Sequence, residues 1–188
     1  METSTWILIG IGAFIVLSFL LMYNGFVRKR NDVDNAFAMI DAQLKKRFDL
    51  IPNLVGAVKA YMAHERGILE QITALRARAM SPDASGEDRL VYGAEASGLL
   101  HKIMLQVENY PDLKASANFL QLQRALNEVE EQLSAARRTF NAAVTEYNNS
   151  IQVFPNCMFA PMFGFQKRQV FAAAEEERVN PNVSSLFK

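Results

Sequence analysis

The first 30 residues divide sharply into an apolar run and a basic cluster. Residues 6–27, WILIGIGAFIVLSFLLMYNGFV, contain no charged side chain, and Arg28, Lys29 and Arg30 follow at once. A helix of these 22 residues rises about 33 Å, enough to cross a hydrocarbon core of roughly 30 Å. The pattern therefore predicts a transmembrane helix, with anchor positions that include Trp6, Phe14, Leu20 and Val27.

The flanks of this run predict that the anchor is retained and set its orientation. A cleaved secretory signal would need a basic start, a shorter apolar stretch and a small-x-small cleavage site. Glu2 is the one charge before the run, and Val27-Arg28-Lys29 stands where the cleavage site should be. Basic flanks stay in the cytoplasm. We therefore expect residues 1–5 outside and the rest of the chain inside.

Beyond the basic cluster, apolar residues recur every three or four positions. A mean step of about 3.5 is the seam of a long helix that packs on others with a left-handed crossing. The pattern predicts helix 1 from the membrane to about Ala79, with a bend or a junction of two helices near Leu50, because Pro52 removes a hydrogen bond. The seam positions are Phe37, Ile40, Leu44, Phe48, Ile51, Val55, Val58, Met62, Leu69 and Ile72.

Two further helices are predicted after a loop at residues 81–86. The second runs from Glu87 to Tyr110, and its small residues at 93–98 favour close approach to a neighbouring helix. The third begins after Pro111 and Asp112 and ends at Pro155. It carries the most regular seam in the chain: Phe119, Leu122, Leu126, Val129, Leu133, Ala136, Phe140, Ala143 and Tyr147.

A row of small polar residues runs beside this seam at heptad spacing: Asn127, Ser134, Asn141 and Asn148. Seven-residue spacing places all four on one flank of the third helix. Such groups can bond to a neighbouring helix and fix its register. The alternative is a solvated edge, and the sequence does not decide between the two.

These patterns predict an all-α protein: a transmembrane helix followed by a long antiparallel bundle of three long helices and a short C-terminal element. The predicted parts are an outward tail at 1–5, the anchor at 6–27, the bundle at 28–165 and a tail at 166–188. Because the helices differ in length, part of a seam lacks a partner. Either the chain after Pro155 folds back over it or a second copy covers it, and we expect a homo-oligomer.

Residues 153–165, VFPNCMFAPMFGF, form an uncharged stretch that is too short and too broken by prolines to span a bilayer. We prefer a cap in which Phe154, Met158, Phe159 and Phe163 are buried against helix ends. The alternative is an exposed patch that docks on a partner, a second subunit or the membrane surface. The candidate patch is Phe154, Met158, Phe159, Met162, Phe163 and Phe165. The tail after Ala172 could reach back along the bundle as an extended arm.

A second basic cluster, Lys45, Lys46 and Arg47, invites a lipid-binding interpretation, but its position argues against one. On a straight helix, residue 45 stands about 27 Å from Val27, several times a Debye length of roughly 8 Å. Asp41 lies four residues before Lys45, which predicts an intrahelical ion pair.

Composition and motifs offer little chemistry. The chain has 20 basic and 20 acidic residues, so no nucleic-acid partner is expected. His64-Glu65 begins a helical zinc motif, but Ile68 stands where the second histidine is needed. His101 and the single Cys157 have no motif around them. We therefore expect no enzyme activity, no metal or other cofactor and no small-molecule substrate.

Three blocks of sequence together resemble the LemA family of bacterial membrane proteins. They are residues 31–65, residues 108–155 and Met-Phe-Gly-Phe at 162–165, with DLIPNLV and YPDLK as the most specific motifs. One departure is Phe140, where the family usually has tyrosine. The resemblance implies a single-pass protein of the bacterial inner membrane with a cytoplasmic helical bundle, and it brings no catalytic residues.

Three functional hypotheses follow from the sequence. The first is a membrane-anchored scaffold or adaptor that self-associates or recruits partner proteins, including other membrane proteins, at the cytoplasmic face. The second is a membrane-remodelling or lipid-contacting protein that uses residues 153–165. The third is a regulator of a membrane protease or an unrecognised enzyme.

Overall fold

The computed structural model describes residues 2–62 and 64–171. Within these residues the chain forms helices joined by turns, with no strand, so the predicted all-α class is confirmed. The elements are α1 Glu2–Val58, α2 Arg66–Ala79, α3 Gly86–Val107, α4 Pro111–Lys114, α5 Ala117–Gln152, α6 Asn156–Phe159 and a 3₁₀ helix at Pro161–Phe163. The arm predicted after Ala172 lies outside the described residues.

Helix α1 carries the apolar run at its start. Among the described residues it is the one helix long and apolar enough to cross a membrane, and its most apolar stretch is not buried by protein. Of the anchor positions, Trp6, Phe14 and Leu20 are exposed and Val27 is half-buried. Exposed apolar side chains all round a helix are typical of a segment surrounded by lipid.

Pro52 lies inside α1 without ending it. Because proline has no backbone N–H, the carbonyl of Phe48 four residues earlier lacks its donor within the helix. Arg76 of α2 takes that place, since its Nε donates to the Phe48 carbonyl oxygen across 3.0 Å. Of the two alternatives that we predicted near Leu50, a bend or a junction of two helices, the junction is wrong, because α1 continues to Val58.

The single helix predicted as far as Ala79 is also wrong, because the chain turns between α1 and α2. The N–H groups of Tyr61 and Met62 both donate to the Val58 carbonyl, at 3.0 and 2.9 Å, and close the turn. Leu69 and Ile72 of α2 are nevertheless buried. The hydrophobic periodicity did not reveal the turn, because α1 and α2 each bury an apolar stripe with the same spacing. The two stripes together look like the seam of one helix.

The chain divides into two compact units. One unit is the segment Asp34–Arg138, and the other combines residues up to Val33 with residues from Thr139 onward. Helices α1 and α5 each contribute a part to both units. The boundaries that we predicted at residues 28 and 165 stay a prediction.

The 34–138 unit is a bundle made by α2, α3 and the adjoining parts of α1 and α5. Helices α2 and α3 form an antiparallel hairpin, in which the Arg78 guanidinium lies 4.6 Å from the centre of the Tyr92 ring. Helix α3 runs parallel to α1, because contacts ascend together from Asp41–Arg89 to Arg47–Ser97.

The bundle core follows the predicted seams with small shifts. On α1, Phe37 and Val55 are half-buried, whereas Ala36 and Leu54 are buried in their stead. A straight helix has 3.6 residues per turn, so a seam extrapolated at 3.5 drifts to the adjacent position. The other seam residues of this unit that are buried include Ile40, Leu44, Phe48, Phe119, Leu122, Leu126, Val129 and Leu133.

Helix α3 approaches α1 closely through Gly93, as its small residues predicted. A Cβ at Gly93 would stand 2.5 Å from Cδ2 of Leu44, which is itself fully buried. The helix begins with a capping box in which Ser85 and Asp88 each bind the other's backbone N–H. Gly98, on the same helix, has no atom within 4 Å of a built Cβ.

The other unit contains the start of α1, the end of α5, α6 and the 3₁₀ helix. Phe140 and Tyr147 of the α5 seam are buried here, and Val144 is buried where we predicted Ala143, which is half-buried. Lys29 of α1 pairs with Glu146 of α5.

The role of Arg76 can be tested with a double-mutant cycle. Arg76→Met removes the donor to the Phe48 carbonyl, and we expect the free energy of unfolding to fall by about 1–2 kcal/mol. In a Pro52→Ala background, the new N–H of residue 52 donates to the Phe48 carbonyl within the helix. Arg76→Met should then lower the free energy of unfolding by less than about half as much. The measurement is chemical unfolding of the full-length protein in detergent. Equal costs in the two backgrounds would rule out this capping role.

Gly93 and Gly98 of α3 give a matched pair. Gly98→Ala adds a methyl in open space and should raise the free energy of unfolding by roughly 0.5–1 kcal/mol through helix propensity. Gly93→Ala should lower it by about 1–3 kcal/mol, because the new methyl overlaps a buried Leu44. Thermal unfolding followed by circular dichroism compares them, and two stabilised variants would contradict the close approach.

Candidate functional site

Aromatic residues of α1 meet aromatic residues of the apolar segment, which we define as residues 153–165. The rings of Phe19 and Phe159 pack edge to face with their centres 4.8 Å apart. The rings of Tyr23 and Phe163 do the same at 5.4 Å. Edge-to-face pairs at these distances add about 0.5–1.5 kcal/mol each beyond the area they bury. The apolar segment is therefore held against the predicted transmembrane run.

The contact continues toward the basic end of that run. Phe165 is buried, and its ring centre lies 5.2 Å from that of Phe26 and 5.8 Å from that of Tyr23. Arg30 places its guanidinium 5.6 Å from the same Phe165 ring, within the range of a cation–π contact. We call these six rings the aromatic cluster: Phe19, Tyr23, Phe26, Phe159, Phe163 and Phe165.

The cap that we preferred for this segment is wrong for most of its residues. Phe154 is 81% exposed, Met158 62% and Phe163 41%, and Phe159 alone among the four predicted cap residues is half-buried. Met162, at 79% exposure, belongs to the same apolar surface. The segment packs on the side of α1 with one face and leaves the other face uncovered by the described residues.

Two asparagines of α5 hold the chain that follows the apolar segment. The Asn148 amide donates to the Arg168 carbonyl at 2.8 Å and accepts from the Arg168 N–H at 3.0 Å. Asn141 makes the same pair of bonds with Phe171, at 3.0 and 2.8 Å. We call these two residues the asparagine clamp. Seven helical residues and three extended residues both span about 10 Å, so the two spacings match.

Contacts of the α5 seam support the clamp. The Tyr147 hydroxyl donates to the Gln166 carbonyl at 2.9 Å, and the Phe140 ring lies 4.7 Å from that of Phe171. Phe140, the departure from the family pattern, thus makes an apolar contact. We considered that either the chain after Pro155 or a second copy covers the exposed part of a seam. At Phe140 and Tyr147, the chain after Pro155 covers it.

The polar row therefore divides into two pairs. Asn141 and Asn148 bind the backbone of the chain that follows the apolar segment. This outcome is neither of our two alternatives for the row, a bond to a neighbouring helix or a solvated edge. Asn127 is exposed, and Ser134 accepts a hydrogen bond from Arg138 at 3.2 Å. The heptad spacing was the available signal, but it did not show that an extended segment would supply the partner.

The basic residues at the end of the anchor have different neighbours. Arg28 is exposed, Lys29 pairs with Glu146, and Arg30 lies over Phe165. Lys167, two residues after the apolar segment, is exposed. Positive charge therefore stands where both apolar stretches of this unit end.

In the 34–138 unit, Arg47 is the buried charged residue, and sequence reasoning missed it. Its guanidinium pairs with Glu130 at 3.0 Å and donates to the Ser97 hydroxyl at 2.9 Å. Burial lowers the pKa of the Arg47 guanidinium, and the Glu130 carboxylate opposes that shift. The signal was present, since Arg47 lies between Leu44 and Ile51 at three- and four-residue steps.

A second ion pair joins α1 to α3 beside Arg47. Arg89 donates to both carboxylate oxygens of Asp41. The Lys45 ammonium lies 3.3 Å from the same carboxylate, so the predicted Asp41–Lys45 pair is confirmed. Burial raises the pKa of the Asp41 carboxyl, but the hydrogen bonds from Arg89 and Lys45 outweigh it and the pKa falls below its usual value. Lys46 pairs with Glu128 at 3.6 Å. The second basic cluster thus binds acidic groups of the bundle.

The residues considered for chemistry do not assemble. His64 and His101 are exposed, and Cys157 is an exposed free cysteine. The described ranges contain no group of three or more metal-ligating side chains. An open groove of about 700 Å³ lies where α1 ends beside α2, and its lining residues include Val55, Met62 and Leu69.

Comparison with known proteins decides the family. A sequence model described as LemA family matches residues 36–185, most of the chain. The chain belongs to the LemA family. Its relatives include Protein LemA of Metamycoplasma hominis, 28% identical over 87% of this chain and 74% of that protein. The resemblance drawn from the sequence motifs is therefore confirmed.

Other relatives of this LemA-family chain carry a different name. Magnetosome protein MamQ of Magnetospirillum gryphiswaldense is 22% identical over 85% of this chain and 67% of that protein. Magnetosome protein MamQ 2 of Paramagnetospirillum magneticum is 23% identical over the same shares. The family match covers α2 to α6 and both residues of the asparagine clamp.

The asparagine clamp can be tested by amide exchange. Replacing Asn141 and Asn148 together with leucine removes four hydrogen bonds to Arg168 and Phe171. We expect the amides of residues 166–171 to exchange at least about tenfold faster in the full-length protein, measured by mass spectrometry. Asn127→Leu, in the same row, is the control and should leave that exchange unchanged. Equal protection in all three proteins would disprove the clamp.

Proposed function

We propose that this LemA-family protein is a membrane-anchored helical adaptor, which binds a second copy of itself or another membrane protein at the cytoplasmic face. The observation that carries the proposal is the continuity of α1 from Glu2 to Val58. One helix contains both the apolar run and the core residues Ile40, Leu44 and Phe48. The helix that carries the predicted anchor therefore also supplies part of the bundle core.

The distribution of charge supports the cytoplasmic placement. Arg28, Lys29 and Arg30 follow the anchor, and Lys167 and Arg168 follow the apolar segment packed against it. Short flanks rich in lysine and arginine remain on the cytoplasmic side of bacterial membranes. Residues 1–5, with Glu2 as their one charged side chain, would then lie on the opposite side.

The character of the polar groups supports binding rather than catalysis. Asp41, Arg47 and Arg89 make ion pairs inside the bundle, which stabilise packing and occupy the groups that catalysis would need free. His64 and His101 are exposed and lie outside any described ligand cluster. The relatives' names, Protein LemA and Magnetosome protein MamQ, designate no reaction.

Site-specific photo-crosslinking in intact cells tests the adaptor role. A photoreactive phenylalanine analogue replaces one exposed residue at a time on α2, α3 and α5, at Glu70, Lys102 and Glu131. We expect at least one of these positions to capture protein, and mass spectrometry then separates a second copy from a different partner. Ile9, an exposed residue of the apolar run, is the matched position for contacts made in the bilayer.

The interpretation of this experiment depends on where capture occurs. Capture from the bundle positions, lost when detergent dissolves the membrane, supports an adaptor that works while anchored. No protein captured at any exposed bundle position, with the anchor still resistant to alkaline extraction, would overturn the adaptor role and leave the anchor intact.

A further inference from the structure

The apolar segment presents an uncovered surface next to the anchor. Phe154, Met158 and Met162 are exposed by 81, 62 and 79%, and Val153 by 53%. The same segment uses Ala160 and Phe165 to pack inward, since both are buried. Contiguous exposed apolar surface of this kind marks an interaction site. The question is which medium or partner covers it.

The position along α1 places this surface at the depth of lipid. Phe159 contacts Phe19, which lies eight residues before Val27, or about 12 Å inside the apolar run. Phe163 contacts Tyr23 about 6 Å inside the run, and Phe165 meets its end at Phe26. A leaflet's hydrocarbon is about 15 Å thick, half of the roughly 30 Å core. The exposed surface is thus continuous with the lipid-facing surface of the anchor and lies within one leaflet.

Most backbone N–H groups of the apolar segment form hydrogen bonds within the protein, as a medium without water requires. Non-helical backbone in a membrane is tolerated when its polar groups are satisfied within the protein. The N–H groups of residues 157, 158, 160, 163, 164 and 165 all donate to carbonyls within the segment, at 2.9 to 3.2 Å. Pro155 and Pro161 have no N–H to satisfy. The Asn156 side chain donates to the Ser150 carbonyl at 2.8 Å.

Charge begins where the apolar surface ends. The segment itself contains no charged residue, and Lys167 and Arg168 follow Phe165 within three positions. Arg30, on α1, lies beside Phe165 at the same end. These cations stand where lipid headgroups would be, and basic residues near an anionic leaflet are attracted to it. The asparagine clamp holds Arg168 in this place through its backbone.

We propose that residues 153–165 form a wedge inserted into the leaflet on the bundle side of the membrane, where Phe154, Met158 and Met162 contact lipid acyl chains. The occupant of the uncovered surface is lipid, because that surface continues the surface of the anchor at the same depth. The inference rests on the proposed membrane anchor and is independent of the adaptor role. It gives the protein a second contact with one leaflet, beside a helix that crosses both.

The one cysteine of the chain can carry a fluorescent label that tests this proposal. Cys157 is its single cysteine, is exposed, and lies in the middle of the wedge. The full-length protein, labelled there with the fluorophore NBD, is reconstituted in vesicles of phosphatidylcholine and phosphatidylglycerol. Iodide in the buffer reports contact with water, and nitroxide groups on the acyl chains report contact with lipid. The matched control is Cys157→Ser with Lys102→Cys, which moves the label to an exposed bundle position.

The proposal predicts that nitroxide lipids quench the Cys157 label strongly and the Lys102→Cys label weakly. Iodide should quench the Cys157 label at least about fivefold less than the control label, as expected for a side chain below the headgroups. Equal iodide quenching at the two positions would overturn the wedge. So would protection of the Cys157 label from both quenchers, because protein would then cover the surface.

Introducing charge into the apolar surface tests whether its apolar character holds it in the leaflet. Met158→Glu with Met162→Glu places two carboxylates in the apolar face, and iodide quenching at Cys157 should rise to about the level of the bundle control. Val170→Glu, an exposed apolar position beyond the wedge, should leave quenching unchanged. A label that stays at the same depth in the double variant would overturn the proposal. Resistance to alkaline extraction, measured on every variant, reports the anchor separately.

Discussion

The structure depends on one constraint, which is that a single helix must satisfy two surroundings in succession. Over residues 6–21, α1 is apolar and largely exposed, with Phe19 half-buried against Phe159. From Phe26 onward burial becomes one-sided, through Ile40 and Leu44 to Val58. A segment in hydrocarbon needs apolar groups all round, whereas a bundle helix needs one apolar stripe. The change of pattern occurs at the basic cluster. Phe159 packs on the first part of this helix, and Arg76 of α2 and Arg89 of α3 contact the second part.

Side chains of this protein satisfy backbone groups that regular secondary structure leaves unpaired. Arg76 binds the carbonyl that Pro52 deprives of a donor, and Asn141 and Asn148 bind both polar groups of Arg168 and Phe171. Buried or shielded backbone groups without partners would cost about 1–3 kcal/mol each. In each case a polar residue of a helix fixes the position of another segment. The same device therefore joins α2 to α1 and the C-terminal chain to α5.

Much of this fold could be predicted from the sequence, because it depends on local pattern. The apolar run, the basic cluster and the α5 seam each repeat a signal over many residues, and the family motifs point the same way. Features formed by a few distant contacts could not be predicted. The turn after Val58 leaves the hydrophobic period unbroken, and the burial of Arg47 requires Glu130 and Ser97 from two other helices.

The sequence by itself determined an all-α chain with one run long and apolar enough to cross a membrane, since helix period and apolar length are properties of neighbouring residues. Tertiary structure alone decided where the uncharged residues 153–165 lie. Their composition is compatible with a cap, which we preferred, and also with a docking patch or a membrane contact. The contacts of Phe159 with Phe19 and of Phe165 with Phe26 place them along the anchor, and no local pattern encodes the pairing of residues so distant in sequence.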